Sequence, residues 1–140
     1  MKLARLAAQN GEIPVGAVVV YEGRAIGSAA NEKEASRDPT AHAEILAIRR
    51  ATAAIGSWRL SEATLYVTLE PCPMCAGALV QARLKRLVYG AADRKGGAVE
   101  SVLNVLDPHL WNHRVDVVAG ILEEECQAVL KNFFLNRRMT

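Results

Sequence analysis

Two short strings, His42-Ala43-Glu44 and Pro71-Cys72-Pro73-Met74-Cys75, constrain this chain more than anything else in it. Together they offer one imidazole and two thiols, the usual shell of a tetrahedral zinc that keeps its fourth position open. A closed structural site would need a fourth protein ligand, and the remaining cysteine, Cys126, lies far along the chain with no histidine or cysteine near it. If His42, Cys72 and Cys75 share one ion, the fold must bring two separate segments together. The open position on such a zinc holds a water and lowers its pKa toward neutrality. Glu44, two residues from the histidine, is the carboxylate that could take and return that water's proton.

Each string has a plainer reading by itself. A lone His-x-Glu is usually a solvated pair on a helix, and a lone C-x-x-C is either a redox pair or two core cysteines. The two in this order, with a proline directly before the first cysteine, match the pattern of zinc nucleobase deaminases and point to hydrolytic deamination.

Local signals place both strings at helix starts. Asp38-Pro39-Thr40 supplies capping residues, and Ala41 to Ala54 follows with strong helix formers, so His42 is expected in a helix's first turn. Thr64 to Leu69 has the composition of a buried strand, and Pro71 and Pro73 mark entry into the next helix. Cys72 and Cys75 then fall three apart on one face. Helix N-termini favour thiolates and a metal-bound hydroxide. Residues i and i+2 on a helix point apart, so His42 and Glu44 converge only if the helix end lets Glu44 curl back.

At 140 residues and 51% hydrophobic content, the chain is expected to form one domain, residues 1–140, with a real core. A net charge of +2 argues against a bulk nucleic-acid binder. The positive charge is nevertheless uneven. Arg83, Lys85, Arg86, Arg94 and Lys95 cluster around the region after the cysteines, and Arg137 and Arg138 end the last helix. Clusters of this kind are most often solvated faces. The sequence has no signal peptide and no apolar run long enough to cross a bilayer, so no membrane role is expected. Two cysteines required as thiolates suit a reducing compartment, and the cytoplasm is the expected location.

Along the chain, Met1 to Gln9 reads as a helix and Val15 to Tyr21 as a buried strand. Glu22-Gly23 reads as a turn and Arg24 to Ala30 as the hairpin partner. The helix of His42, strand Thr64 to Leu69 and the helix of the cysteines follow. Arg86 to Ala91 and Arg114 to Val118 are further strands, and a helix from about Ile121 to Arg138 closes the chain. Strands alternating with helices predict an α/β fold, a mixed five-stranded sheet covered by helices on both faces. Ligands bind such sheets beyond the strand ends, where helix N-termini point inward.

These residues resemble those of the bacterial tRNA-specific adenosine deaminases, within the cytidine deaminase superfamily. The resemblance runs from about Gly11 to Arg138. It rests on Gly11 to Ala17, Asp38 to Ile45, Thr68 to Ala78, Gly90-Ala-Ala-Asp93 and Asn112-His-Arg-Val115. The zinc strings belong to the whole superfamily, while the last two pieces and the ending from Phe133-Phe134 to Arg138 are closer to the tRNA branch. The resemblance implies a three-layer α/β/α sandwich and a homodimer. It also implies conversion of adenosine to inosine at the wobble position, with a tRNA anticodon stem-loop as partner. In the family the first helix begins several residues before the position of Met1, so this chain is expected to start late in that helix.

By the same resemblance, His42, Cys72 and Cys75 are the ligands of one zinc per chain and Glu44 the proton shuttle. Asn31 corresponds to an asparagine near the target nucleotide, where its amide could both donate and accept; its other reading is a turn residue closing the second strand. His113 is structural or close to substrate, His109 a loop residue, Cys126 helix core, and Glu70 a residue that helps set the cysteine turn. Phe133-Phe134 suits helix packing better than base stacking. Two other functions compete. One is deamination of a free base or nucleoside (guanine, cytosine or cytidine) on the same site. The other is a non-catalytic zinc or RNA-binding module, against which Glu44 argues, since a pure binder has no need of that carboxylate.

Overall fold

Glu22 and Gly23 both take positive φ, 50° and 74°, the conformation of a two-residue turn that matches strand twist. They reverse β1 (Gly16–Tyr21) into β2 (Arg24–Ala30). The computed structural model describes residues 1–139, with side chains through Arg137. Before the hairpin lies α1 (Lys2–Gln9). After it come α2 (Ala43–Ile55), β3 (Thr64–Leu69), α3 (Pro73–Gln81), β4 (Arg86–Ala91), β5 (Asp116–Val118) and α4 (Glu123–Met139).

The five strands form one sheet in the order β2-β1-β3-β4-β5. β1 runs antiparallel to β2 and β3, while β3, β4 and β5 are mutually parallel. The sheet is therefore mixed, and alternation along each strand gives it two different faces. Ala17, Val19, Leu65 and Leu87 are all at most 1% exposed and share a core with Leu60, Leu79 and Leu84 beneath α2 and α3. Gly16, Val18, Tyr66, Val88 and Gly90 turn to the other side, against Met1 and Leu3 at the start of α1 and against Cys126 of α4. This is the three-layer α/β/α arrangement that the sequence predicts.

Helix α2 lies close on the sheet because its buried stripe is made of small residues. Ala43, Ala47 and Ala51, spaced by four, are fully buried. Gly27 of β2 completes the fit: a Cβ there would stand 2.3 Å from the Ala47 carbonyl oxygen and 2.6 Å from the Ala51 nitrogen. The β1–β2 register shifts between Val19 and Val20, so that Val19 pairs with Gly27 and Val20 with Ala25.

Three elements start two residues later than the sequence expectation, and the other bounds differ by one residue at most. β5 holds only three residues, beginning where the Asp116 N–H donates to the Lys85 carbonyl at 3.0 Å; Arg114 instead pairs with the Asp116 carboxylate at 3.3 Å. α4 starts at Glu123, because Gly120 and Leu122 both adopt positive φ, which helical geometry forbids. α2 starts at Ala43, two residues later than expected, and this shift shapes the site.

Candidate metal centre

Asp38 spends its capping ability on a separate turn. Its Oδ1 accepts from the Thr40 N–H at 2.8 Å and the Thr40 hydroxyl at 2.7 Å. His42 is consequently the residue before α2, with extended φ −73° and ψ 148°, and its carbonyl accepts the first helical bond from Leu46 at 3.1 Å. The expectation that His42 sits inside the helix is thus corrected, and the correction removes the geometric conflict with Glu44. An extended residue is not bound by the helical rotation, so His42 and the first-turn Glu44 both reach one cleft.

The cysteine string repeats the construction. Cys72 is the extended residue before α3, at φ −74° and ψ 173°, Pro73 occupies the first helical position, and Cys75 lies one turn in. The two sulfurs meet the histidine from one side. Nδ1 of His42 is 3.6 Å from Cys72 Sγ and 3.5 Å from Cys75 Sγ, and the three ligand atoms lie within 4.8 Å of one another. These three residues could hold a metal ion. Cys126, the remaining cysteine, is buried on α4 against Gly90 and takes no part.

The charges around the trio are arranged unevenly. A hydrogen bond from the Cys75 thiol and another from His42 hold Cys72 down at about 4, against the opposing effect of its burial. Its hydrogen bond to Cys72 and its full burial push the Cys75 thiol up instead. The thiol that is held down is thus that of Cys72, the less buried of the two residues. His42 is raised by its bond to Cys72. Glu44 is 5% exposed, and burial pushes its carboxyl up from the usual carboxylate range.

A cleft of about 180 Å³ opens over His42 and Cys72 of the trio. It lies at one edge of the sheet, where β3 and β4 end and β1 begins. Ile13 and Val15 form one wall; Asn31, Lys33, His42 and Glu44 form the next; Leu69, Glu70, Cys72 and Asp93 complete it. Asn31 is 7% exposed and lines this cleft, while its backbone N–H donates to the Val15 carbonyl at 3.0 Å as β2 ends. Asn31 thus directly follows the second strand and lines the cleft as well.

Other residues singled out in the sequence settle elsewhere. His113 bonds through Nε2 to the Leu84 carbonyl at 2.6 Å and is a loop anchor. His109 sits in a short 3-10 turn whose Asp107 accepts from its N–H. Phe133 is buried and Phe134 exposed, in edge-to-face contact at 5.4 Å. The basic cluster divides. Lys85, bonded to Glu62, and Arg86 stand at the start of β4, whereas Arg94 and Lys95 follow its end, beside the cleft. The length of β4, from Arg86 to Ala91, separates the two groups, about 17 Å of extended chain. Arg137 projects over the Phe133 ring at 5.2 Å; the Arg138 side chain lies outside the described residues.

Glu70 does something the sequence reading missed. It was expected to set the cysteine turn, yet its carboxylate accepts from Asp93, Val99, Glu100 and Ser101, a loop some thirty residues on. Burial pushes this carboxyl up, but those N–H groups and the Ser101 hydroxyl outweigh it and hold it at about 2. The available signal was a charged residue between a buried strand and a Pro-Cys turn, which needs partners wherever it points.

The family model of the MafB19-like deaminases matches residues 1–138. The tRNA-specific adenosine deaminase of Bacillus subtilis (strain 168) is 49% identical over 138 residues, spanning 99% of this chain and 86% of that protein. A solved structure of a tRNA:A34 deaminase superposes with a TM-score of 0.88 at 48% identity, covering 92% of this chain and 94% of the other. The guanine deaminase of Nitrosomonas europaea shares the fold at a TM-score of 0.82 and 26% identity, covering 94% and 79%. A cytidine deaminase-like sandwich, a His-Cys-Cys trio beside a buried glutamate, and near-half identity along almost the whole chain lead to one conclusion: this protein belongs to the family of tRNA-specific adenosine deaminases.

Proposed function

We propose that this chain is a zinc-dependent hydrolase that converts adenosine to inosine at the wobble position of a tRNA anticodon. The observation that carries the chemistry is the burial of Glu44 beside the His42-Cys72-Cys75 trio, at the floor of a cleft sized for one base. A tetrahedral zinc with about 2.3 Å to sulfur and about 2.0–2.1 Å to nitrogen sets N and S roughly 3.6 Å apart. The distances from His42 Nδ1 to the two sulfurs, 3.6 and 3.5 Å, fit that shell. Zinc bound there supplies hydroxide near neutral pH by acidifying a water.

The chain's own residues do the rest. Glu44 takes a proton from the attacking water at its carboxylate and delivers it to the purine ring; it then takes the hydroxyl proton of the C6 adduct and passes it to the departing amine, so that water and adenosine become inosine and ammonia. Burial favours its protonated form, which suits a group that must hold the proton between the two transfers. The Asn31 amide offers a donor and an acceptor to the base within the cleft. At about 180 Å³ the space lies below the roughly 300–1,000 Å³ of sites for drug-sized ligands, which suits a single unstacked base. Extrusion of that base costs little in a single-stranded anticodon loop. Arg94 and Lys95 are exposed and directly follow Asp93 of the cleft wall, and that position suits contact with the phosphates that flank the base.

Ammonia release with a tRNA carrying A at the wobble position, beside guanine, cytosine, cytidine and free adenosine, tests this reading. Turnover of the tRNA and of none of the free compounds supports it. Turnover of guanine alone moves the assignment to the free-base branch that shares the fold.

The family resemblance also supports a homodimer. The groove between α2 and α3 is lined by Ile45, Ile48, Trp58 and Met74, with Trp58 57% exposed. Such an apolar patch suits a second copy of the chain. Trp58→Glu is expected to shift the protein toward monomer in sedimentation; an unchanged monomeric mass in the parent protein removes the dimer. Among the described residues no helix is long and apolar enough to cross a membrane. A tRNA substrate and paired thiolate ligands suit the cytoplasm.

A further inference from the structure

Glu70 directly follows β3 at 2% exposure, two residues before the first cysteine. Its Oε1 accepts from the Asp93 N–H at 3.1 Å and from the Ser101 hydroxyl; its Oε2 accepts from the N–H groups of Val99, Glu100 and Ser101 at 3.0, 2.8 and 3.0 Å. All five donors belong to one loop, 93–101. The same loop is stitched to the same turn by Ala98 N–H to the Pro71 carbonyl at 2.8 Å, and Glu70 N–H reaches the Ala91 carbonyl at 2.8 Å. Gly97 is packed so close that a Cβ would lie 2.4 Å from the Glu70 carboxyl carbon and 2.5 Å from the Asp93 carbonyl oxygen. The loop returns to the cleft at one residue, Asp93, which lines it opposite Asn31 and His42.

We propose that Glu70 is a positioning residue: its carboxylate clamps the 93–101 loop so that Asp93 forms a fixed wall of the base cleft. It thereby controls substrate affinity and leaves the chemistry at Glu44 untouched. This inference rests on the deaminase reading. The chemistry of the clamp explains why a carboxylate is required. Four N–H groups and a hydroxyl converge on two oxygens, and no neutral side chain presents two acceptors at that spacing. A glutamine has one carbonyl oxygen. Turned toward Val99, Glu100 and Ser101, it keeps those three bonds and places its NH2 against the Asp93 N–H. The Ser101 hydroxyl can reverse and accept. Glu70→Gln therefore releases Asp93 selectively, whereas Glu70→Ala releases the whole loop.

The test combines kinetics with an independent structural readout on the zinc-loaded protein. Glu70→Gln is expected to keep its zinc and its kcat on wobble-A tRNA while KM rises about tenfold, the effect of losing one charge-assisted hydrogen bond. Amide exchange at Asp93 should accelerate by a similar factor, with Val99, Glu100 and Ser101 still protected. Glu70→Ala should raise KM further and deprotect all four amides; where that variant fails to fold, the glutamine variant decides alone. An unchanged KM with unchanged Asp93 exchange overturns the proposal. So does loss of zinc with a parallel fall in kcat, which marks Glu70 as a support of the cysteine turn. If the parent protein releases no ammonia from tRNA, the deaminase reading fails on its own, and Asp93 exchange, measured without substrate, still decides the clamp.

Discussion

Nδ1 of His42 and Sγ of Cys75 lie 3.5 Å apart although one precedes α2 and the other lies one turn into α3. The contact spans the seam between the two helices that cover one face of the sheet, so the trio ties them together as well as facing the cleft. Zinc sites of this ligand class bind with large free energies that become folding energy.

Cys75→Ala and Cys72→Ala are each expected to reduce zinc well below one per chain and to lower the melting temperature, because two remaining ligands do not complete the shell. Cys75→Ala should cost more in the metal-free protein, since Cys75 is fully buried and Cys72 is not. Metal analysis and thermal melting with and without chelator check both statements. Full zinc in either variant removes that cysteine from the ligand set.

Glu44→Gln separates chemistry from metal binding. The amide keeps the size of a side chain that is 5% exposed, so fold and zinc content are expected to stay as in the parent. It can no longer carry a proton between water, ring and amine. A kcat lowered by roughly 10²–10⁴ is expected, the usual weight of general acid–base catalysis. Single-turnover inosine formation at saturating tRNA measures it, and near-parent turnover would take Glu44 out of the mechanism.

The parts of the fold governed by local chemistry were legible in the sequence. The Glu22-Gly23 turn, strands β2, β3 and β4, and the meeting of His42, Cys72 and Cys75 follow from residue types and spacing alone. The start of α2 did not follow, because two capping solutions compete: Asp38 closes its own turn with Thr40, and the helix begins only after His42. Local propensity does not choose between them, and the choice decides whether His42 and Glu44 converge. β5 and the start of α4 failed for a related reason. Val115 is apolar and buried, yet the pairing with β4 that defines the strand begins only at Asp116. Glu70 was the largest omission, since its partners lie up to thirty-one residues away and no spacing rule announces them.

Gly27→Ala tests the packing that seats α2, and through it the position of Glu44. The added methyl group would meet the Ala47 carbonyl and the Ala51 nitrogen, both backbone atoms that cannot rotate aside. Overpacking of this kind costs about 1–3 kcal/mol. A melting temperature several degrees lower is expected, with zinc retained and kcat reduced because the start of α2 is displaced. A stability equal to the parent's would show that the helix moves without cost.

Arg137 is the remaining candidate for gripping RNA outside the cleft. It is exposed near the end of α4 and shares a surface hollow with Arg5 and Gly11; two residues beyond Gly11, Ile13 enters the cleft wall. The Arg137 guanidinium already stacks on the Phe133 ring at 5.2 Å, which orients it at little entropic cost. Arg137→Ala is expected to weaken tRNA binding, leave zinc content unchanged, and flatten the dependence of log affinity on log salt by about 0.7 to 0.9. The competing account is that Arg137 only complements the carbonyl end of the helix, worth about 0.3–1 kcal/mol of stability. It predicts a slightly lower melting temperature and an identical salt slope. Affinities of both proteins for tRNA across a series of salt concentrations separate the two, and coincident lines would exclude Arg137 as a phosphate contact.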